Sequence, residues 1–231
     1  KKVFLELGGK SAAIVLDDAD VSAAAGATAF AATIHAGQGC ALTTRLIVPR
    51  DKYDEAVSVA AATMESIGAK DPADPGAICG QVISQVQRDR VESYFKVAEE
   101  EGGRIVTGGK VIDQPGFWIE PTVVADLDNS SRLAQEEIFG PVLVVIPHDG
   151  DDDAVRIAND SDYGLSGSIE SGDLERATSV ARRIRTGTMA VNGGVWFSPD
   201  APFGGYKQSG LGREMGVAGF EEYLETKTIA E

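Results

Sequence analysis

At 231 residues, with 43% hydrophobic and 25% charged side chains, the chain has the balance of a globular protein and the length of one large domain or one and a half ordinary ones. Its 36 acidic against 21 basic residues, a formal net charge of −15, argue against nucleic-acid binding and against docking to anionic membranes, both of which need a basic surface. No run approaches the roughly 18 apolar residues that suggest a membrane helix.

Two cysteines, Cys40 and Cys79, and two histidines, His35 and His148, make neither a disulfide framework nor a zinc site, so no metal is expected. Thiols used this sparingly fit a reducing, cytoplasmic setting. Lys1-Lys2-Val3-Phe4 leads into no apolar stretch of signal-peptide length, and the first methionine is Met64. The chain therefore reads as the later part of a longer polypeptide, with parts of any active site upstream.

In chain order, Ala13 to Leu16 reads as a short buried strand. Asp17, Asp18 and Asp20 then offer N-caps for an alanine-rich helix from Val21 to Ile34, which Gly37 ends. Leu42 to Val48 reads as a strand. Tyr53, Val57, Ala60 and Met64 recur at helical spacing within a helix from about Lys52 to Ser66. Gly68 to Gly80, with Pro72 and Pro75, is a loop, and a helix follows from about Ser84 to Glu101. Strands are expected over Arg104–Thr107, Phe117–Val124, Val142–Ile146, Leu165–Ile169 and Thr188–Asn192, with helices over Asp151–Asn159 and Leu174–Ile184. From Gly193 to Gly212 the periodicity is lost and a long loop is expected, then a final helix from Glu214 to Glu225. Strands alternate with helices and hairpin signals are few, which predicts an α/β fold: a largely parallel sheet flanked by helices.

Cys40 lies in Gly37-Gln38-Gly39-Cys40-Ala41, where Gly39 and Ala41 leave room for a substrate to approach. A free cysteine is most often a small buried hydrophobe, yet a helix-to-strand junction is where a side chain can point into a crevice. The preceding helix would present its C-terminus, whose partial negative charge disfavours a thiolate, so activation must come from elsewhere, such as backbone N–H groups or a cofactor's charge. Cys79, in a Pro/Gly loop, lacks this setting. Glu6, in Leu5-Glu6-Leu7-Gly8-Gly9-Lys10, is either the wet face of an alternating strand or a partly desolvated acid able to take a proton from water.

Gln135-Glu136-Glu137-Ile138-Phe139-Gly140-Pro141 is either a loop entering a strand or a segment presenting Glu137 to sugar hydroxyls and Phe139 to a flat ring, since an i, i+2 pair in extended chain points the same way. The run Pro202 to Arg213 fails the tests for a phosphate loop: no Gly-Lys-Ser/Thr follows, and no Gly-x-Gly-x-x-Gly opens a helix. His35, five residues before Cys40, reads as a helix-end histidine rather than the base of a Cys–His dyad.

These segments, in this order and spacing, resemble the aldehyde dehydrogenase superfamily over essentially the whole chain: Leu5-Glu6-Leu7-Gly8-Gly9-Lys10, Gly37-Gln38-Gly39-Cys40, Glu136-Glu137-Ile138-Phe139-Gly140-Pro141, and Pro202-Phe203-Gly204-Gly205-Tyr206-Lys207-Gln208-Ser209-Gly210-Leu211-Gly212-Arg213-Glu214. The resemblance implies that Cys40 is the nucleophile and Glu6 the general base. Glu137 would hydrogen-bond the nicotinamide-side ribose, Phe139 would pack near the nicotinamide, and Leu7 and Gly8 would lie beside that ring. Phe203 and Trp196 would line the aldehyde tunnel beside Gly39 and Ala41, and Asn192 would brace the loop carrying the nucleophile. It further implies oxidation of an aldehyde to an acid with NAD or NADP, through a thiohemiacetal and a thioester on Cys40, and a homo-oligomeric subunit.

Residues 1–10 would end the cofactor-domain junction, 11–208 form the catalytic domain, and 209–231 the C-terminal helix and tail, whose Thr226–Ile229 end resembles a segment used in assembly. The family's N-terminal half, with an oxyanion-holding asparagine and the groups that bind adenosine and phosphates, is not in these residues. His35 also departs from the family's common asparagine. The alternatives are a catalytically silent domain or a cysteine esterase that needs no nicotinamide.

Overall fold

The structure, a computed structural model, describes residues 1–193 and 197–231. Strand β2 (Ser11–Val15) is buried along its whole length, as a strand covered on both faces must be. Asp20 then caps helix α1 (Val21–Thr33) by accepting the Ala23 N–H at 2.9 Å. Strand β3 (Thr43–Pro49), helix α2 (Tyr53–Ile67) and helix α3 (Gln85–Glu100) follow, the last capped by Ser84 through the Gln87 N–H. Strands β4 (Arg104–Thr107) and β5 (Thr122–Ala125), a one-turn helix α4 (Arg132–Gln135) and strand β6 (Val142–His148) come next. Helix α5 (Asp151–Asn159) carries three aspartates in its first turn, where negative charge complements the helix dipole. Strand β8 (Gly167–Glu170), helix α6 (Leu174–Ala181) and strand β9 (Ala190–Val191) complete the main layer.

Among the described residues, seven strands form one sheet in the order β4-β5-β6-β3-β2-β8-β9, parallel except for β4 against β5. Alternate strand residues sort to opposite faces, as the two-residue period of a strand demands. Ala13, Val15, Leu46, Val48, Leu143 and Val145 pack against α1 and α2. Ile14, Leu16, Ile47, Val144, Ile146 and Ile169 pack against α3, α5 and α6. The expected α/β fold with a largely parallel, helix-flanked sheet is what is found.

Several boundaries differ from those expected. The Phe117–Val124 strand is confined to β5, with only an isolated Val111–Ile119 bridge before it; Pro121 has no N–H to offer a ladder. The Thr188–Asn192 strand shrinks to β9: the Thr188 N–H bonds the Leu165 carbonyl outside the ladder at one end, and Asn192 turns left-handed (φ 51°) at the other. The final helix spans Gly216–Glu221 (α7) rather than Glu214–Glu225.

The glycine-rich stretch expected to be a long, structured loop carries two short strands. β10 (Tyr206–Lys207) pairs with β7 (Tyr163–Gly164), and β11 (Gly210–Leu211) pairs with β1 (Leu5–Glu6), both antiparallel. Two-residue strands leave no readable period, which is why the sequence conceals them. Their effect is to strap the N-terminal segment down onto the body of the fold, with the Leu7 N–H bonded to the Ser209 carbonyl at 3.0 Å.

Candidate active site

In parallel α/β sheets, ligands ordinarily sit beyond the carboxyl ends of the strands. Here the candidate residues gather at the opposite edge. Leu5–Lys10 enters β2, Gln38–Leu42 enters β3, Glu137–Pro141 enters β6 and Leu165–Ser166 enters β8. Parallel pairing of β2 with β3 and β8, and of β3 with β6, brings these four entry segments side by side.

Cys40 occupies a turn closed by the Leu42 N–H on the Gly39 carbonyl. The turn is separated from α1 by His35, Ala36 and Gly37, all left-handed (φ 53°, 54° and 71°), so the thiol does not sit on the axis of that helix. Cys40 is half-buried and packs with Ala41, Leu165, Phe203 and Met215. The Ala41 carbonyl accepts the Ser166 hydroxyl at 2.6 Å, and that hydroxyl also bonds Ser11, which pins the turn to β2 and β8. Burial pushes the Cys40 thiol above its ordinary value, and the Glu6 carboxylate raises it further. Its own N–H and that of Ala41 favour the thiolate, while Glu137 opposes it. The balance leaves the thiol raised, because burial and Glu6 outweigh the backbone N–H groups.

Glu6 lies on a strand whose alternation is inverted. Leu5 and Leu7 are exposed, whereas Glu6 turns inward and its Oε1 is buried with no hydrogen-bond partner among the described residues. Desolvation raises its carboxyl above the ordinary carboxylate range, Glu214 raises it further, and Arg213 acts in the opposite sense. The wet-face alternative for Glu6 is thus not what the structure contains. Arg213 and Glu214, which sequence reasoning quoted but gave no role, are the charges that face this acid. Arg213 is held by the Gly205 and Gly212 carbonyls and lies over the Tyr206 ring.

Glu137 meets the Gly8–Gly9 corner. Its Oε1 accepts the Gly9 N–H at 2.9 Å, and a Cβ on Gly8 would stand 2.3 Å from its Oε2. Glycine is needed at position 9 too, where a Cβ would lie 2.3 Å from the Cys40 carbonyl oxygen. These two residues thus link the Cys40 turn to Glu137. From α3, Arg90 donates to the Glu137 carbonyl and Gln87 to those of Ile138 and Phe139. The acidic pair is split: Glu136 turns to Arg132 and to the Tyr94 hydroxyl. Phe139 is part-exposed but left-handed (φ 60°), so the extended i, i+2 geometry expected for Glu137 and Phe139 is not formed.

Phe203 is buried beside Cys40, and Phe197 stacks on it with ring centroids 4.6 Å apart; Phe197 was not anticipated from the sequence. Trp196 lies outside the described residues. Gly39 faces the Leu42 side chain. Asn192 does not contact the Cys40 turn through its hydrogen bonds: its Oδ1 accepts the Ser171 N–H and its own N–H bonds Ile169, at the far end of β8. Cys79 is fully buried among Ala36, Ile67 and Val82, and burial pushes its thiol to about 11. No group of three or more metal-ligating side chains occurs among the described residues, and no described helix is long and apolar enough to cross a membrane.

The fold and site together define an α/β domain, with a half-buried thiol and an inward carboxylate, one oxygen of which has no partner among the described residues, at the amino edge of its strands. The sequence model of the aldehyde dehydrogenase family matches residues 1–229, and the chain belongs to that family. Geranial dehydrogenase of Castellaniella defragrans is 43% identical over 231 residues, which is 99% of this chain and 48% of that protein. A 3-succinoylsemialdehyde-pyridine dehydrogenase of a Pseudomonas species is 42% identical with the same coverage. Among solved structures, a cysteine-to-alanine mutant of aldehyde dehydrogenase C from Pseudomonas syringae, in complex with NAD+ and octanal, matches 98% of this chain and 47% of its own at 46% identity and a TM-score of 0.94. A Mycobacterium tuberculosis aldehyde dehydrogenase bound to NAD+ matches 94% of this chain and 45% of its own at 49% identity and a TM-score of 0.91. The chain thus spans about half the length of these relatives.

Proposed function

We propose that these residues are the thiol-bearing part of a subunit that oxidises an aldehyde to a carboxylic acid with NAD+ or NADP+, Cys40 being the nucleophile and Glu6 the general base. The observation that carries the reading is the inward Glu6: a desolvated carboxylate with one unpaired oxygen, acting on a thiol from a strand whose leucines face outward. A buried polar atom without a partner is costly, so its persistence suits a group waiting for water or substrate.

The residues present fit the nicotinamide end of such a cofactor. Glu137 has one oxygen held by Gly9 and the other beside Gly8 with no hydrogen bond among the described residues; with Phe139 exposed in the same loop, they would hold the ribose and ring. Leu7 and Gly8 would border them. When bound, the cofactor supplies a hydride acceptor, as it does for the family. The roles proposed for this chain's own residues are these. Cys40 attacks the aldehyde carbon, and the Cys40 N–H stabilises the resulting oxyanion; losing such a donor costs about 3 kcal/mol. Phe203 and Phe197, with Trp196, Gly39 and Ala41, would confine the aldehyde's carbon chain. After oxidation leaves a thioester on Cys40, Glu6 takes a proton from water, which releases the acid.

We read residues 1–10 as the end of the cofactor-domain junction, 11–208 as the catalytic domain and 209–231 as the C-terminal helix and tail. Homo-oligomeric assembly in the cytoplasm completes the proposal; exposed Tyr223, Leu224 and Ile229 support a role for that tail in assembly. The test is Glu6→Gln in a subunit of full family length. It should acylate and then stall, with a thioester on the Cys40 peptide seen by mass spectrometry; unimpaired turnover removes Glu6 from the role.

A further inference from the structure

Lys10 is the one residue of the Glu6–Lys10 entry segment that the reaction above leaves without a task. It is 2% exposed, among the largest fully buried side chains of the fold, and its Nζ forms neither a hydrogen bond nor an ion pair among the described residues. Lysine is almost never buried this deeply unless paired. Its carbonyl is fixed by Arg45 Nε at 2.9 Å, and the Arg45 guanidinium, itself buried, is taken up by Asn129, Ile157 and Ala158.

Lys10 lines two narrow cavities. One is shared with Glu137, Phe139, Gly39 and Leu42, the other with Arg45, Tyr163 and Ser166. The charged and titratable groups around it are therefore Arg45 from β3, Glu136 and Glu137 from the loop before β6, and Tyr163 from β7. Arg90 stands behind Glu137 and Asp160 acts on Arg45. Burial and Arg45 push the Lys10 amine down to about 7, against the pull of Glu137 and Glu136. An amine in this position can exist with or without its proton at little difference in free energy.

We propose that Lys10 is a charge-compensating positioning residue, which releases its proton when an oxidised, positively charged nicotinamide enters beside Glu137 and Phe139 and regains it when the ring has been reduced to the neutral form. Only the N–H bond of the ammonium is broken and remade; the proton passes to and from solvent. The physical reason is that two unit positive charges in a poorly solvated region repel strongly, whereas the neutral amine carries no such cost. The inference rests on the proposed function, because it needs the nicotinamide at that corner.

The test is calorimetry of NAD+ binding to a subunit of full family length, in buffers of different ionisation heat. A Cys40→Ala background silences the thiol. At pH 7 the parent is expected to release a substantial fraction of a proton, falling away by pH 9. Affinity for NAD+ should rise roughly tenfold from pH 6 to pH 8.5, with NADH nearly unaffected. Lys10→Met should abolish both the release and the pH dependence, and Lys10→Arg should bind NAD+ weakly at every pH. Glu6→Gln in the same background should keep the release. Equal release from Lys10→Met and the parent, its loss in Glu6→Gln instead, or a release that persists unchanged to pH 9 in the parent overturns the inference; the last needs no lysine variant to fold. A subunit that binds no NAD+ at all overturns the functional reading with it, whereas binding without proton release overturns the inference alone.

Discussion

Glu6 bears on the proton affinity of Cys40. Removing the Glu6 charge takes away the second-largest influence holding the thiol up, so Glu6→Gln should lower the thiol's pKa and enlarge its thiolate fraction at neutral pH. Iodoacetamide should then label Cys40 a few-fold faster in that variant at pH 7.5, followed by peptide mass spectrometry; an unchanged rate would show that Glu6 does not act on the thiol, and slower labelling that it acts as its base. In the unmodified chain Cys40 should label well before Cys79, whose sulfur is buried and whose thiol sits near 11. Lys10 gives a stability signature of its own. Its folded-state pKa, about 7, lies below its ordinary 10.5, so between these values the unfolded chain binds more protons and stability rises with pH. The urea midpoint of the native chain should climb relative to that of Lys10→Met from pH 7 to pH 10.

At the scale of elements, close backbone approach rather than side-chain packing builds the site. The entry to β2 touches the entry to β3 where Gly9 meets the Cys40 carbonyl, and Gly37 meets the Gly140 carbonyl at the entry to β6. A Cβ at position 9 has rigid backbone against it, so Gly9→Ala should destabilise by about 1–3 kcal/mol, the usual range for overpacking, and should change the reactivity of Cys40. Urea denaturation and the alkylation rate measure the two effects, and an unchanged rate would mean the turn is positioned otherwise. Arg45 ties β3 to β2, to α5 and to the Asn129 loop. Arg45→Met leaves one side-chain and three backbone carbonyl acceptors unpaired and should cost about 3 kcal/mol or more. Helices and long strands were legible because their periods repeat over several residues. The two-residue strands β1, β7, β10 and β11 were not, since pairing with a distant partner is all that makes them strands.

For the whole molecule, the site lies at the amino edge of the sheet, and on that side Leu5, Leu7, Phe139 and Leu211 stand exposed. A chain spanning about half of its relatives should therefore fold its α/β layer yet show little or no NAD-linked aldehyde oxidation as 231 residues. A full-length subunit should turn over. Absorbance of the reduced nicotinamide distinguishes the two, and robust turnover by the short chain would mean that the remaining half is dispensable.

The candidate groups Cys40 and Glu6, the alternation of strand and helix and the spacing of the glycines are features the sequence carries by itself, because they depend on residue type, motif and local period. Which way Glu6 faces, that Arg213 and Glu214 flank it, that Glu136 and Glu137 part company, and that Lys10 is buried on a narrow cavity shared with Glu137 were decided only by the tertiary structure. Those outcomes arise from contacts between segments far apart in the chain and from the exclusion of water, and neither leaves a mark on the residues taken one after another.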